Sequence, residues 1–201
     1  MGICSAVLPE PAYSQPAISS PRILVIGDSL SAEYGLRRNS GWVELLNATV
    51  SKRPTPVTVI NASISGDTTS GGLARIDAAL TTHRPTIVIL ELGANDALRG
   101  LPLTLTHKNL TEMIVRSQTA GAEVVLVGMQ IPPNYGREYA QGFKNIFSTA
   151  ATQTGAALVP FLFEGFADQR QYFQADGIHP NESAQSLMLA TIRQALDPLL
   201  R

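Results

Sequence analysis

The sequence predicts a single-domain, three-layer α/β/α fold with a central parallel sheet of about five strands, of the flavodoxin-like kind. Three observations carry this expectation. Short apolar β-branched runs alternate with longer stretches of helical period, the first four runs are apolar on both faces as buried parallel strands are, and no repeat, heptad run or linker interrupts them. A chain of 201 residues is long enough to bury one core and short for two.

Taken in order, residues 1–21 are Pro/Ser/Ala-rich with almost no charge and read as a flexible N-terminal tail. Within it, Ile3, Cys4, Ala6, Val7 and Leu8 look like the end of an apolar signal core, and Ala12-Tyr13-Ser14 has small residues at cleavage-site spacing. The domain is expected over 22–201. Strands are predicted at Ile23–Ile26, Val57–Ile60, Ile87–Leu90 and Val124–Val127, with a weaker one at Ala157–Val159. Helices are predicted at Gly41–Ser51, Ser70–His83, Thr104–Ala120 and Arg137–Thr154. A last helix follows Pro180, because Ala184, Leu187, Met188, Ile192, Ala195 and Leu196 recur at spacings of three and four, with Asn181 and Ser183 available to cap its start.

Composition removes several functions. With 15 Lys and Arg against 16 Asp and Glu, the net charge of −1 lacks the basic excess of a nucleic-acid binder, and the Arg37-Arg38 pair reads as a solvated loop. One cysteine, Cys4, excludes an intramolecular disulfide framework and a cysteine-based metal cluster. No segment approaches the roughly 20 apolar residues of a membrane span.

In a parallel sheet, ligands gather beyond the carboxyl ends of the strands. The loops there are Gly27-Asp28-Ser29-Leu30-Ser31, Asn61-Ala62-Ser63-Ile64-Ser65-Gly66-Asp67 and Gly93-Ala94-Asn95-Asp96, joined by Asp176-Gly177-Ile178-His179-Pro180 near the C-terminus. Ester cleavage needs an activated hydroxyl, a base oriented by an acceptor, and donors aimed at the oxygen that becomes negative. Ser29 offers the hydroxyl, His179 the base, and Asp176, three residues earlier, an acceptor for the other imidazole nitrogen. The Asn95 amide and the backbone N–H groups of Gly66 and Ser29 are the candidate oxyanion donors. Asp28 and Asp96 read as ties between loops. The remaining histidines, His83 and His107, read as surface positions at a helix end and a helix start. Asp176 and His179 lack a further ligand at metal spacing, so no metal is expected. Gly66-Asp-Thr-Thr-Ser-Gly71 has phosphate-loop glycine spacing without the Lys-Ser/Thr that must follow, and Ser31 stands where a G-x-S-x-G elbow needs glycine.

The blocks Gly27-Asp28-Ser29-Leu30, Gly66, Gly93-x-Asn95-Asp96 and Asp176-x-x-His179 resemble those of the SGNH hydrolases, a branch of the GDSL lipases and esterases. The stretches Asn61–Thr68, Gly72–Arg75, Leu98–Gly100, Pro133–Gly136 and Asp176–Asn181 are similar to the bacterial multifunctional thioesterase I, protease I and lysophospholipase L1 subgroup. The resemblance implies a cofactor-free, periplasmic or secreted enzyme, expected to be a monomer without stable membrane insertion, acting on small acyl esters, thioesters and lysophospholipids. By resemblance, Leu98, Leu101 and Leu103 sit in a mobile loop over the acyl chain, and Ile131, Pro132 and Tyr135 are substrate-binding residues. The chain departs from the subgroup at Glu33, Ala94 and Ala97, where glycine is usual. A carboxylate at Glu33 near the site entrance is expected to disfavour anionic head groups such as coenzyme A. Two other readings stay open: a short-chain carbohydrate or acetyl esterase of the same superfamily, and a flavodoxin-like binding protein without turnover.

Overall fold

The computed structural model describes residues 21–200; the expectations for the N-terminal tail, including Cys4 and Ala12–Ser14, fall outside them. Five parallel strands form one sheet in the order β2-β1-β3-β4-β5: β1 Arg22–Gly27, β2 Thr58–Asn61, β3 Ile87–Glu91, β4 Glu123–Val127 and β5 Ala157–Val159. Ile23 pairs with Val59 on one side of β1 and with Ile87 on the other. The β-branched and leucine side chains of β1, β3 and β4 fill both faces, and Ile23–Ile26 and Val88–Leu90 are fully buried.

The β2 expectation needs correcting in one respect. Its residues are apolar enough for a central strand, yet it is an edge, and its burial falls to half-exposed. Helices cover the two faces: α1 (Trp42–Val50) packs on α6 (Gln185–Leu196), while α2 (Thr69–His83), α4 (Leu103–Thr119) and α5 (Arg137–Thr154) pack side by side. Asn181 does cap, but it caps the 3₁₀ turn Glu182–Ala184 that leads into α6, accepting from the Ser183 N–H. One α-helix escaped the sequence reading. Ala94–Leu98 forms a five-residue helix, α3, too short to show a period.

The order runs outward from β1 in opposite directions toward β2 and β3, so the chain reverses between β1 and β3. A crevice opens there at the carboxyl ends of the strands, the position where doubly wound sheets bind ligands. Ser29 follows β1 and Asn95 follows β3.

Candidate active site

Beyond β1 the chain turns back on itself. The Asp28 carbonyl accepts from Ser31 N and Ala32 N, while its own carboxylate takes the Leu30 N–H at 3.0 Å. This tight turn presents Ser29, half-buried, at the floor of the crevice. On the C-terminal side, Gln174 N donates to the His179 carbonyl at 2.8 Å and Asn181 N to the Tyr172 carbonyl, closing residues 174–179 into a pinned loop with Gly177 at φ +73. That loop delivers the imidazole across 150 residues of sequence: Ser29 Oγ and His179 Nε2 lie 3.0 Å apart. His179 Nδ1 is 2.7 Å from Asp176 Oδ2, and Asp176 Oδ1 accepts the Ile178 and His179 N–H groups. The acceptor fixes Nδ1 as the protonated nitrogen and leaves Nε2 to take a proton from Ser29.

Desolvation opposes the Asp176 charge, but the backbone and imidazole donors outweigh it and hold its carboxyl down at about 2. The Tyr34 ring packs on His179 with centroids 4.5 Å apart, and the Tyr34 carbonyl takes the Gln174 side-chain N–H. Sequence reasoning missed both residues, since a lone tyrosine or glutamine in a loop carries no signal.

The candidate oxyanion donors lie on three loops: Ser29 and Asn95 line the crevice, and Gly66 is exposed on the loop after β2, next to Asp67, whose carbonyl the Asn95 amide engages. Gly66 is the third residue of a four-residue turn closed by Asp67 N to the Ile64 carbonyl, and its φ of +79 is why glycine stands there. Among the described residues, neither Gly66 N–H nor Ser29 N–H finds an acceptor. The Asn95 amide is already committed, donating to Asp28 Oδ2 and to the Asp67 carbonyl, each at 2.9 Å. Buried Asp96 ties loops as its sequence position suggests, accepting from Thr69 N and Thr69 Oγ1.

Ser29, Asn95 and His179 open onto a cavity of about 440 Å³ with a mostly apolar wall, a size that encloses a small ligand. Leu98, Ile131, Pro132 and Tyr135 line it. Leu101 and Leu103 do not, which corrects the sequence expectation. Leu103 is the first residue of α4 and packs toward Gly142 of α5, and the Leu101 carbonyl is tied by the Tyr139 hydroxyl at 2.8 Å. The wall is completed by Met129 and Gln130 after β4 and by Phe161, Phe163 and Phe173 beyond β5. The carboxyl-end rule that singled out the first three loops applies equally to these two.

Glu33 is held within its own loop. Its carboxylate accepts from Asn39 N at 3.0 Å and Gly41 N at 2.6 Å, so it staples its own loop and stays off the cavity wall. His107 is half-buried with an enclosed Nε2, not a surface position, and His83 is half-buried as well.

Residues 25–187 match the GDSL-like lipase/acylhydrolase family. The chain belongs to that family. It is 44% identical to the esterase TesA of Pseudomonas aeruginosa over 178 residues, 89% of either chain, and superposes on a crystal structure of TesA with a TM-score of 0.86 over 89% of this chain and 99% of that one. It is 39% identical to thioesterase 1/protease 1/lysophospholipase L1 of Escherichia coli over 92% of this chain and 87% of that one. The psychrotrophic esterase EstA from Pseudoalteromonas sp., solved inhibited by monoethylphosphonate, is 41% identical, with a TM-score of 0.84 over 89% of this chain and 98% of that one. The GDSL-like architecture is therefore the five-stranded SGNH fold, and this member is an ester-hydrolysing enzyme acting on small-molecule esters. Among the described residues, no helix is long and apolar enough to cross a membrane.

Proposed function

We propose that the enzyme hydrolyses carboxylic esters and thioesters of apolar acyl groups, lysophospholipids included, through an acyl-enzyme on Ser29. The Ser29–His179–Asp176 relay, with contacts of 3.0 and 2.7 Å, carries the reading. His179 Nε2 takes the Ser29 proton as Oγ attacks the carbonyl, and Asp176 steadies the imidazolium. The free N–H groups of Ser29 and Gly66 receive the oxyanion, and Asn95 shares one of its engaged hydrogens with it in a three-centre bond. His179 then protonates the leaving group, and water releases the acid by the same route. No metal or cofactor enters these steps.

The apolar cavity beside Ser29 supports an acyl chain over the short-chain acetyl or carbohydrate reading, whose substrates leave such a wall unfilled. The relay likewise supports turnover over a flavodoxin-like binding role. A monomer in the periplasm or outside the cell is proposed, the location from the apolar run and small-residue spacing of the N-terminal stretch. The test is hydrolysis of p-nitrophenyl esters of graded chain length by the native chain and by Ser29→Ala. Turnover by the native chain that rises with acyl length and disappears in Ser29→Ala is expected; a Ser29→Ala variant that keeps the native rate overturns the reading.

A further inference from the structure

We propose that Glu91 is a positioning residue for ester hydrolysis: acting through Ser31 and Asp28, it holds the turn that carries Ser29 and the amide of Asn95, and it does so only while the Asp28–Glu91 pair keeps one proton. The inference rests on the roles proposed above for Ser29 and Asn95.

Glu91 ends β3, in register with Gly27 of β1, and is 3% exposed. From there its carboxyl reaches beneath the nucleophile turn, where Oε2 accepts the Ser31 hydroxyl at 2.7 Å and, more weakly, the Asp28 N–H at 3.4 Å. The close approach explains Gly27: a Cβ there would stand 2.7 Å from Ser31 Oγ and 2.9 Å from Glu91 Oε2. Asp28, 1% exposed, continues the chain of contacts, with one oxygen on Leu30 N and the other on Asn95 Nδ2. Ser29 is thus flanked by two residues, Asp28 and Leu30, whose backbone N–H groups are held by this pair of acids.

Of the four carboxyl oxygens, three accept hydrogen bonds, and no described residue donates to Glu91 Oε1. Two full negative charges at this depth oppose one another, so the pair retains a proton, and the oxygen without a donor is where it fits. Burial raises the Asp28 carboxyl to about 6, a smaller rise than that of Glu91, so Asp28 is the first of the pair to ionise. Burial and then the Asp28 charge push Glu91 well above the ordinary carboxylate range. The titratable groups facing the pair are Asp67 on the loop after β2 and His179 on the C-terminal loop, both acting on Asp28. Ionising Glu91 would place a second anion under the site where the ester oxygen becomes negative, and would repel the carboxylate that holds Asn95.

The experiment compares kcat and KM for a short p-nitrophenyl ester across neutral to alkaline pH in the native chain, Glu91→Gln, Glu91→Leu and Ser31→Ala. Glutamine keeps an acceptor for Ser31 and cannot ionise. The native kcat is expected to fall on the alkaline side with KM nearly constant, and Glu91→Gln to lose that fall while retaining most of the neutral-pH kcat. Glu91→Leu should lower kcat about 10- to 100-fold, the scale of a small displacement of reacting groups. Should Glu91→Leu fail to fold by circular dichroism, Ser31→Ala deletes the same hydrogen bond and is expected to lower kcat with KM unchanged. A Glu91→Gln alkaline limb that superimposes on the native one, or a Glu91→Gln loss at neutral pH as large as that of Glu91→Leu or Ser31→Ala, overturns the proposal. Ser29→Ala, run alongside, reports separately on the underlying nucleophile assignment.

Discussion

At φ +58, Glu33 sits in the left-handed region, where a side chain costs about 1–2 kcal/mol relative to glycine. Its carboxylate offsets that strain by accepting two backbone N–H groups, each contributing about 1 kcal/mol net. Glu33→Ala keeps the strain and loses both bonds, so urea unfolding should show it less stable than the native chain by about 1–3 kcal/mol, with Glu33→Gly falling between them. Neither change should alter turnover of acyl-coenzyme A relative to neutral esters, because the carboxylate is spent on its own loop. Native-like stability in Glu33→Ala would remove this account of the residue. Asp176 offers a second test. Held at about 2, it stays ionised at any assay pH above 4, so Asp176→Asn should lower kcat on the order of 10³–10⁴-fold by allowing the wrong His179 tautomer. Since the defect is one of tautomer and not of charge balance, the loss should be similar at mildly acidic and neutral pH; recovery at either would contradict it.

Loops after all five strands meet at one end of the sheet: Ser29, Gly66 and Asn95 follow β1, β2 and β3, Asp176 and His179 follow β5, and most of the apolar wall follows β4 and β5, joined by Leu30, Ala94 and Leu98 from the loops after β1 and β3. Acyl selectivity therefore rests chiefly on the residues after β4 and β5. Each methylene buried on that wall is worth about 0.8 kcal/mol, roughly fourfold in kcat/KM, until the cavity is full. Ala167 lies on the wall with little side chain, so Ala167→Phe should cut off the rise at a shorter ester with short esters unaffected, as a p-nitrophenyl ester series would show. Leu101→Ser and Leu103→Ser should leave the chain-length optimum in place, and a shift in that optimum would return those leucines to the wall. Why these leucines misled is physical. An apolar run without period is equally consistent with a ligand wall and with a helix start packed on a neighbour, and only the position of α5 decides. The strands were legible because β-branched runs have few alternatives, whereas the edge position of β2 depends on strand order, which hydrophobicity does not encode. Ser29, Asn95, Asp176 and His179 were legible because each follows a turn signal at a strand end or lies in one tight loop. Glu91 was hidden as the last residue of an otherwise apolar strand, where a charged residue ordinarily marks the return to solvent.

Across the whole molecule, the buried acids beneath the active site and the surface relay acid respond to pH in opposite senses. Asp28 titrates at about 6 in the folded chain against 3.8 as its ordinary value, so the folded state binds its proton more tightly than the unfolded state does. The stability its neutral form contributes is fully present below about 3.8 and is lost as pH rises through about 6, with Glu91 acting in the same direction. Asp176, depressed to about 2, contributes stability that is present above 3.8 and lost as pH falls toward 2. The active-site floor thus makes the fold less stable at the neutral pH where Asp28 must be charged to hold Asn95, a conflict between stability and function that charged sites commonly carry. Asp28→Asn removes the titration and keeps an acceptor for Leu30. Urea unfolding of both chains should show the native protein losing stability relative to Asp28→Asn between pH 4 and pH 7.5, by up to about 3 kcal/mol for a shift of this size. The gap should stop growing once Asp28 is fully ionised. A stability difference between the two chains that stays constant over that range would mean that Asp28 titrates alike in the folded and unfolded states, and the strained floor would have to be abandoned.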